Sequence, residues 1–257
     1  MQSRAKMAGA AMVDDPRDGF AGHVPFIVSS IRTLGLHAVP ALARTASRTP
    51  LRGKMPGLIN QLPVTDAVAL TFDDGPGQRL DGFLKALDGA GATATFFLVG
   101  EQVARDPGRA AEIVRAGHEV GVHGYQHLPH LRHWPHDIVA DMRRARAVIE
   151  EATGQPTRFY RPPHGLFCLA SWRECDRQGW QKALWTRAAW DWDATATPRS
   201  IADRIGTPLA GDVLLLHDAD WYSATGSDGR TLAALPVMLD RIAAAGLRVR
   251  SLGNMVD

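Results

Sequence analysis

From residue 64 onward the chain alternates short apolar runs with longer helix-period segments, and that alternation leaves few folds open. The runs fall at residues 67–72, 94–99, 119–123, 157–160, 180–185, 212–216 and 247–251. Between them lie apolar stripes at helical spacing: Leu80, Phe83, Leu84 and Leu87; Ile138, Met142, Ala145 and Ile149; Leu232, Leu235, Leu239 and Ile242. Glycines stand where those helices should stop, at Gly89 or Gly91, Gly117, Gly154, Gly179 and Gly246. Strand–helix alternation requires parallel strands joined by right-handed crossovers. Seven such strands make either an open doubly wound sheet or an incomplete barrel. No glycine-rich phosphate fingerprint follows the first run, which weakens the nucleotide-binding sheet. The expectation is therefore an α/β fold, an incomplete seven-stranded β/α barrel with an N-terminal extension.

Length and charge divide the chain. Its 257 residues suit one domain of barrel size plus an appendage, and 45% hydrophobic with 22% charged residues excludes collagen-like and disordered classes. Residues 1–63 read as a leader, with a tail to residue 18 and a stretch broken by Pro25, Pro40, Pro50 and Pro56; residues 64–257 read as the catalytic domain. Arg32, Arg44, Arg48, Arg52 and Lys54 are unopposed by any acid between residues 19 and 65, so residues 66–257 carry a net −3 within a chain of +2. A mildly acidic body argues against nucleic acid as partner. No apolar run of about 18 residues exists, so no transmembrane helix is expected. The stretch 24–31 is short, interrupted by Pro25 and preceded by aspartates, unlike a secretory signal. Phe26, Ile27, Ile31 and Leu34 share a helical face, which allows peripheral membrane contact through the basic leader. A cytoplasmic or membrane-peripheral location is expected, with export left open; oligomeric state leaves no mark. Cys168 and Cys175, seven apart, read as packing thiols and not as a disulfide or zinc knuckle.

Chemistry in such barrels gathers at the C-terminal strand ends, where the loops converge on one mouth. The first run ends at Asp73 and Asp74, the third at His123, four residues before His127. The fourth runs into Arg161, the loop after the fifth carries Asp191, and the sixth ends at His217. Asp73-Asp74-Gly75-Pro76 alone is a turn signal, and His123-x-x-x-His127 alone is often surface decoration. Together, two imidazoles and one carboxylate form a three-ligand site with open positions, as hydrolytic zinc requires, and a second carboxylate provides a base. His127, His130, His133 and His136 recur every third residue, but Pro129 and Pro135 break any helix that would gather them into a second site.

Thr71-Phe72-Asp73-Asp74-Gly75-Pro76, His123-x-x-x-His127, Arg161-Pro162-Pro163-His164-Gly165, Asp191-Trp192 and Leu215-Leu216-His217, in that order, resemble the five motifs of the NodB-type polysaccharide deacetylases. Ala94-Thr95-Phe96-Phe97 and Gly117-His118-Glu119 resemble that family's connecting sequence, and the likeness covers about residues 66–252. The resemblance implies that Asp74, His123 and His127 bind a divalent metal, usually zinc, sometimes cobalt or another ion. It makes Asp73 the general base, oriented by Arg161, and His217 the general acid, tuned by Asp191. It implies removal of acetyl from an N-acetylated carbohydrate by water activated on the metal. Pro163, His164, Gly165, Trp192 and Leu215 would line the substrate pocket, and Trp221 and Tyr222, in the polar loop 218–230, would offer sugar-stacking rings.

Three features depart from the family pattern. Gly124 replaces the usual Ser or Thr between the histidines, so altered loop support is expected without loss of the metal. His164 stands where an aromatic is common, and the loop 218–230 is long. Competing readings are an O-acetyl esterase or non-sugar amidase on the same site, a non-haem iron oxygenase, which also uses two histidines and a carboxylate, and a carbohydrate-binding protein without activity. The alternating pattern and the additional Asp73, Arg161 and His217 speak against the last two.

Overall fold

The computed structural model describes residues 57–256; the readings of a leader helix and of membrane contact lie outside them. Among the described residues nine strands form one sheet: β1 (Leu58–Ile59), β2 (Ala67–Asp73), β3 (Thr95–Leu98), β4 (Glu119–Val122), β5 (Phe159–Tyr160), β6 (Gln181–Ala183), β7 (Arg187–Ala188), β8 (Val213–His217) and β9 (Arg248–Arg250). Eight helices accompany them: α1 (Leu80–Gly89), α2 (Gly100–Arg105), α3 (Pro107–Arg115), α4 (Pro135–Thr153), α5 (Leu169–Gln178), α6 (Pro198–Ile205), α7 (Ser227–Ala244) and α8 (Gly253–Val256). All seven expected runs form strands. The two unexpected ones, β1 and β7, are two residues long, too short to carry a period of their own.

The strands run in the order β1-β6-β5-β4-β3-β2-β8-β7, every ladder parallel, with β9 pairing the first half of β2. β6 and β7 are almost consecutive in the chain yet lie near opposite ends of that order, so the sheet curls until its ends approach. Residues 58–62 bridge the seam: β1 pairs β6, Gln61 forms an antiparallel bridge with Asp212, and Leu62 N donates to Gly211 O at 2.9 Å. The result is the incomplete β/α barrel expected.

Strand parity sorts the side chains. Val68, Leu70 and Phe72 of β2, with Phe96, Leu98, Val120, Val122, Leu214 and Leu216, face outward to Phe83, Leu87, Ile113, Met142, Leu235 and other helical residues. Phe72 stacks on Phe96 at 5.0 Å and meets Phe83 edge-on at 5.3 Å. Ala67 and Ala69, with Phe97, Phe159, Ala183, Val213 and Leu215, fill the interior. Each fully buried Phe or Leu contributes roughly 1.5–3 kcal/mol. The interior is a packed core, not a pore. Helix α4 ends where expected, at Gly154, whose φ of 65° places it in the left-handed region that a side chain disfavours. Among the described residues, no helix is long and apolar enough to cross a membrane.

Candidate metal-binding active site

Parity also decides what reaches the mouth. Asp73 continues the inward face of β2, and it pairs in register with His217 at the end of β8, whose inward residues are Val213 and Leu215. Val122 pairs with Tyr160, so the next residues, His123 and Arg161, emerge side by side. Asp73, His123 and His217, far apart in sequence, thus face one cavity of about 150 Å³, lined by Asp73, Asp74, His123, His127, His164, Gly165, Trp185, Ala188, Trp190, Trp192, Leu215, His217, Tyr222 and Ser223, with Arg161 buried behind it.

Asp74 follows the strand with φ of 76° and turns its carboxylate back across the mouth. Its Oδ1 lies 3.2 Å from His127 Nε2 and 3.5 Å from His123 Nε2, and its Oδ2 lies 3.9 Å from His217 Nε2. That buried Oδ1 takes no hydrogen bond, an orphaned acceptor in need of a partner. Zinc bonds of 2.0–2.2 Å arranged tetrahedrally set neighbouring ligand atoms roughly 3.3–3.5 Å apart. The two Asp74 contacts are close to that spacing, and the donor atoms of Asp74, His123 and His127 all lie within 4.8 Å of one another, a cluster that could hold a metal ion. His123 donates from Nδ1 to the Arg161 carbonyl at 2.8 Å, which turns its Nε2 lone pair inward. Burial lowers the His123 pKa to about 4, so the ring is neutral and ready to ligate. For Asp74 burial acts upward, but the facing His127, His217 and His123 rings outweigh it and hold the carboxyl below the usual range.

Asp73 stands just outside that trio. Its Oδ1 accepts from Arg161 Nη1 at 2.6 Å, and its Oδ2 is 3.7 Å from His123 Nε2. Arg161 is fully buried and cannot swing away: Nη1 also donates to Thr71 Oγ1 at 2.9 Å, Nη2 to Leu184 O at 2.8 Å, and the guanidinium lies 4.1 Å from the Phe97 ring centroid. His217 Nδ1 bonds Asp191 Oδ1 at 2.9 Å, while Asp191 Oδ2 accepts from His217 N and from Thr231 Oγ1. Burial alone would lower the His217 pKa, but the Asp191 carboxylate, with Asp74 and Asp73 facing the ring, outweighs it and raises it to about 10. Trp192 meets the His217 ring edge-on at 5.2 Å.

Of the expected pocket residues, His164, Gly165, Trp192, Leu215 and Tyr222 line the cavity. Pro163 lies behind it, beside Gly124, and Trp221 turns aside to donate from Nε1 to Pro76 O at 3.2 Å. His164 and Gly165 bring Trp185 into the wall, because the Gly165 site leaves no room for a Cβ against that indole. His130 bonds the Tyr160 hydroxyl at 3.0 Å and is buried away from His133 and His136, so the third-residue series makes no second centre among the described residues.

Sequence reasoning did not single out three supporting residues. Thr231 anchors Asp191. Asp218 accepts from Gly77 N at 3.1 Å beneath the turn that carries Asp74, and burial raises its pKa to about 7. Asp141 of α4 accepts from Tyr125 N at 2.8 Å and Gln126 N at 2.9 Å, holding the turn that leads to His127. The signal for Asp141 was Gly124. With φ of 82°, Gly124 could carry a Cβ only at 2.9 Å from Asp141 Oδ2, so the carboxylate occupies the space of the missing side chain. Gly124→Ser should therefore destabilise the domain by about 1–3 kcal/mol. Urea unfolding with an unchanged midpoint would show that the turn relaxes freely.

Fold and site together define a β/α-barrel protein with a carboxylate–imidazole cluster at its mouth. The comparisons supply its relatives. A family model described as polysaccharide deacetylase matches residues 63–182. A peptidoglycan-N-acetylglucosamine deacetylase of Bacillus cereus is 28% identical over 193 residues, 74% of this chain and 87% of that protein. The family 4 carbohydrate esterase from Streptomyces lividans, solved in complex with acetate, is 29% identical and superposes with a TM-score of 0.65 over 72% of this chain and 92% of its own. A family 4 pseudoenzyme from Bacillus anthracis superposes with a TM-score of 0.70 at 26% identity, over 79% of this chain and 70% of its own. In sequence and in fold the barrel is similar to the polysaccharide deacetylases.

Proposed function

We propose that the chain is a metal-dependent hydrolase that removes acetyl from an N-acetylated carbohydrate. One observation carries the reading: the Asp74 carboxylate, within 3.2–3.9 Å of three imidazoles, lies beside a second carboxylate that is locked by a buried arginine. A pseudoenzyme among the relatives means that fold alone does not argue for activity; a full set of reactive side chains does. Asp74, His123 and His127 would hold the divalent ion, and their mixed N/O donors suit zinc, with cobalt or another ion as substitute. When bound, the ion supplies Lewis acidity toward the amide carbonyl and lowers the pKa of water.

The remaining chemistry belongs to the protein. Asp73 accepts the proton of the attacking water, and Arg161 keeps that carboxylate aimed at the mouth. His217, protonated and held by Asp191, delivers a proton to the departing amine. Trp185, Trp192 and Leu215 form an apolar wall against which the acetyl methyl packs and which keeps bulk water from the reacting carbonyl. The same groups would attack an acetyl ester. The amide is favoured because a good acid is needed only for a poor leaving group, and this site invests a buried Asp191–His217 pair in one.

The test is acetate release from N-acetylated chitooligosaccharides, peptidoglycan fragments and small acetylglucosamine conjugates, with and without a chelator. Release that chelation abolishes and zinc restores is expected. Sugar binding without acetate from any of them would replace the enzyme with a binding protein.

A further inference from the structure

Among the three metal-facing side chains, His127 lacks the usual support. His123 is oriented by the Arg161 carbonyl, and Asp74 by its place at the end of β2. His127 lies on the turn after β4 with φ of 54°, and no described residue hydrogen-bonds its Nδ1. A ligand imidazole normally donates its second N–H to a carbonyl or carboxylate, which fixes the ring against rotation. Here a ring takes that place. The Tyr222 ring lies flat on His127, centroids 4.3 Å apart and planes 10° from parallel. His164 meets the same imidazole edge-on at 4.8 Å.

Tyr222 is itself tied down. It comes from the loop between β8 and α7, and its hydroxyl donates to Glu101 and accepts from Gln102 Nε2 at 3.1 Å, both on α2. That loop is pinned again where Trp221 donates to Pro76 O and where Ala224 N donates to Trp192 O at 3.2 Å. The stacked face of Tyr222 is closed to a sugar ring, which removes half of its use as a carbohydrate platform.

We propose that Tyr222 is a positioning residue for the metal centre: anchored through its hydroxyl on Glu101 and Gln102, it holds the His127 imidazole in ligating orientation. This rests on the reading of Asp74, His123 and His127 as the metal-binding trio. The long loop after β8, a departure from the family pattern in the sequence, then has a purpose, since it supplies the brace that the turn carrying His127 lacks.

Zinc affinity tests the proposal directly, by competition with a chromophoric chelator on the full chain. Tyr222→Leu should weaken zinc binding about tenfold or more, the usual cost of losing a partner that orients a ligand. Tyr222→Phe, which keeps the stacked ring but loses its anchor, should recover part of that loss. The double variant Glu101→Ala with Gln102→Leu, which removes both partners of the hydroxyl and leaves the ring, should resemble Tyr222→Phe in falling between the wild type and Tyr222→Leu, and keeps the test open should Tyr222→Leu fold poorly. With zinc saturating, the chelator should strip zinc from Tyr222→Leu faster than from the wild type, whatever the loss of the free Tyr222 face does to KM for a chitooligosaccharide. Wild-type zinc affinity in Tyr222→Leu overturns the proposal, and a raised KM beside it would make the residue a sugar platform instead. His123→Ala separates the two claims: zinc lost there but unaffected in Tyr222→Leu leaves the metal site standing and removes only the brace. A wild-type protein that binds no zinc ends both.

Discussion

Asp73→Asn lowers kcat for acetate release by about two to four orders of magnitude, the range expected when a general base is lost, and leaves zinc bound. The separation follows from position. Asp73 Oδ1 is engaged by Arg161 at 2.6 Å, and the cluster that could hold the ion consists of Asp74, His123 and His127. Asparagine has nearly the same shape and keeps an oxygen for the Arg161 Nη1 bond, but it takes no proton from water. At 1.36 kcal/mol per tenfold, the loss corresponds to roughly 3–5 kcal/mol of transition-state stabilisation. A cost in stability comes with it, because Arg161 is fully buried and loses its counter-charge; breaking a buried pair from one side costs about 3–5 kcal/mol. Circular dichroism must therefore confirm folding before the kinetics are read. His123→Ala is the contrast, expected to lose zinc and turnover together. Near-normal rates in folded, zinc-loaded Asp73→Asn would move the base elsewhere.

The second large effect depends on the leaving group. His217→Ala should reduce amide hydrolysis by about 10²–10⁴, while an activated aryl ester, whose phenolate departs without a proton, should suffer little. Equal losses on both substrates would argue for a role in binding the oxyanion or the ion. The pH profile gives an independent reading. Burial disfavours the imidazolium, but Asp191 together with Asp74 and Asp73 outweighs it and raises the pKa to about 10, so the acid form persists through neutrality and is lost as pH rises through that value. Activity should accordingly fall on the alkaline side, and the charge of a bound cation shifts that limb below 10. Asp191→Asn removes the largest of the raising interactions and should move the limb further down. A limb that stays in place in that variant reports some group other than His217.

Much of the site was legible because a parallel barrel converts sequence order into spatial convergence. Each of Asp73, His123, Arg161 and His217 terminates or directly follows an apolar run, and parallel strands with helical returns present all such ends at one mouth. The period of two then makes an inward residue at the end of a run predictable from inward residues before it, as Val213 and Leu215 predict His217. The supporting groups were hidden for a related reason. Asp141 and Thr231 belong to helices, where no alternation marks the residue that reaches the site, and Tyr222, expected as a sugar-stacking ring, carried no sign that it would lie on His127. Asp218 looked like the first residue of a polar loop, and only the β2 turn lying over it explains its burial. β1 and β7 were invisible because two residues establish no pattern; they are strands only because the curled sheet has a seam to close.

By itself the sequence determined the strand and helix order, the parallel barrel and the set of reactive side chains at its rim, since local periodicity and covalent order carry all three. Tertiary structure alone decided the rest: the 3.2 Å and 3.5 Å approaches that bring Asp74, His123 and His127 together, the carboxylates that support the turns, and the ring that stacks on His127. Those depend on where distant segments pack, and short-range pattern holds no record of a contact between Tyr222 and His127.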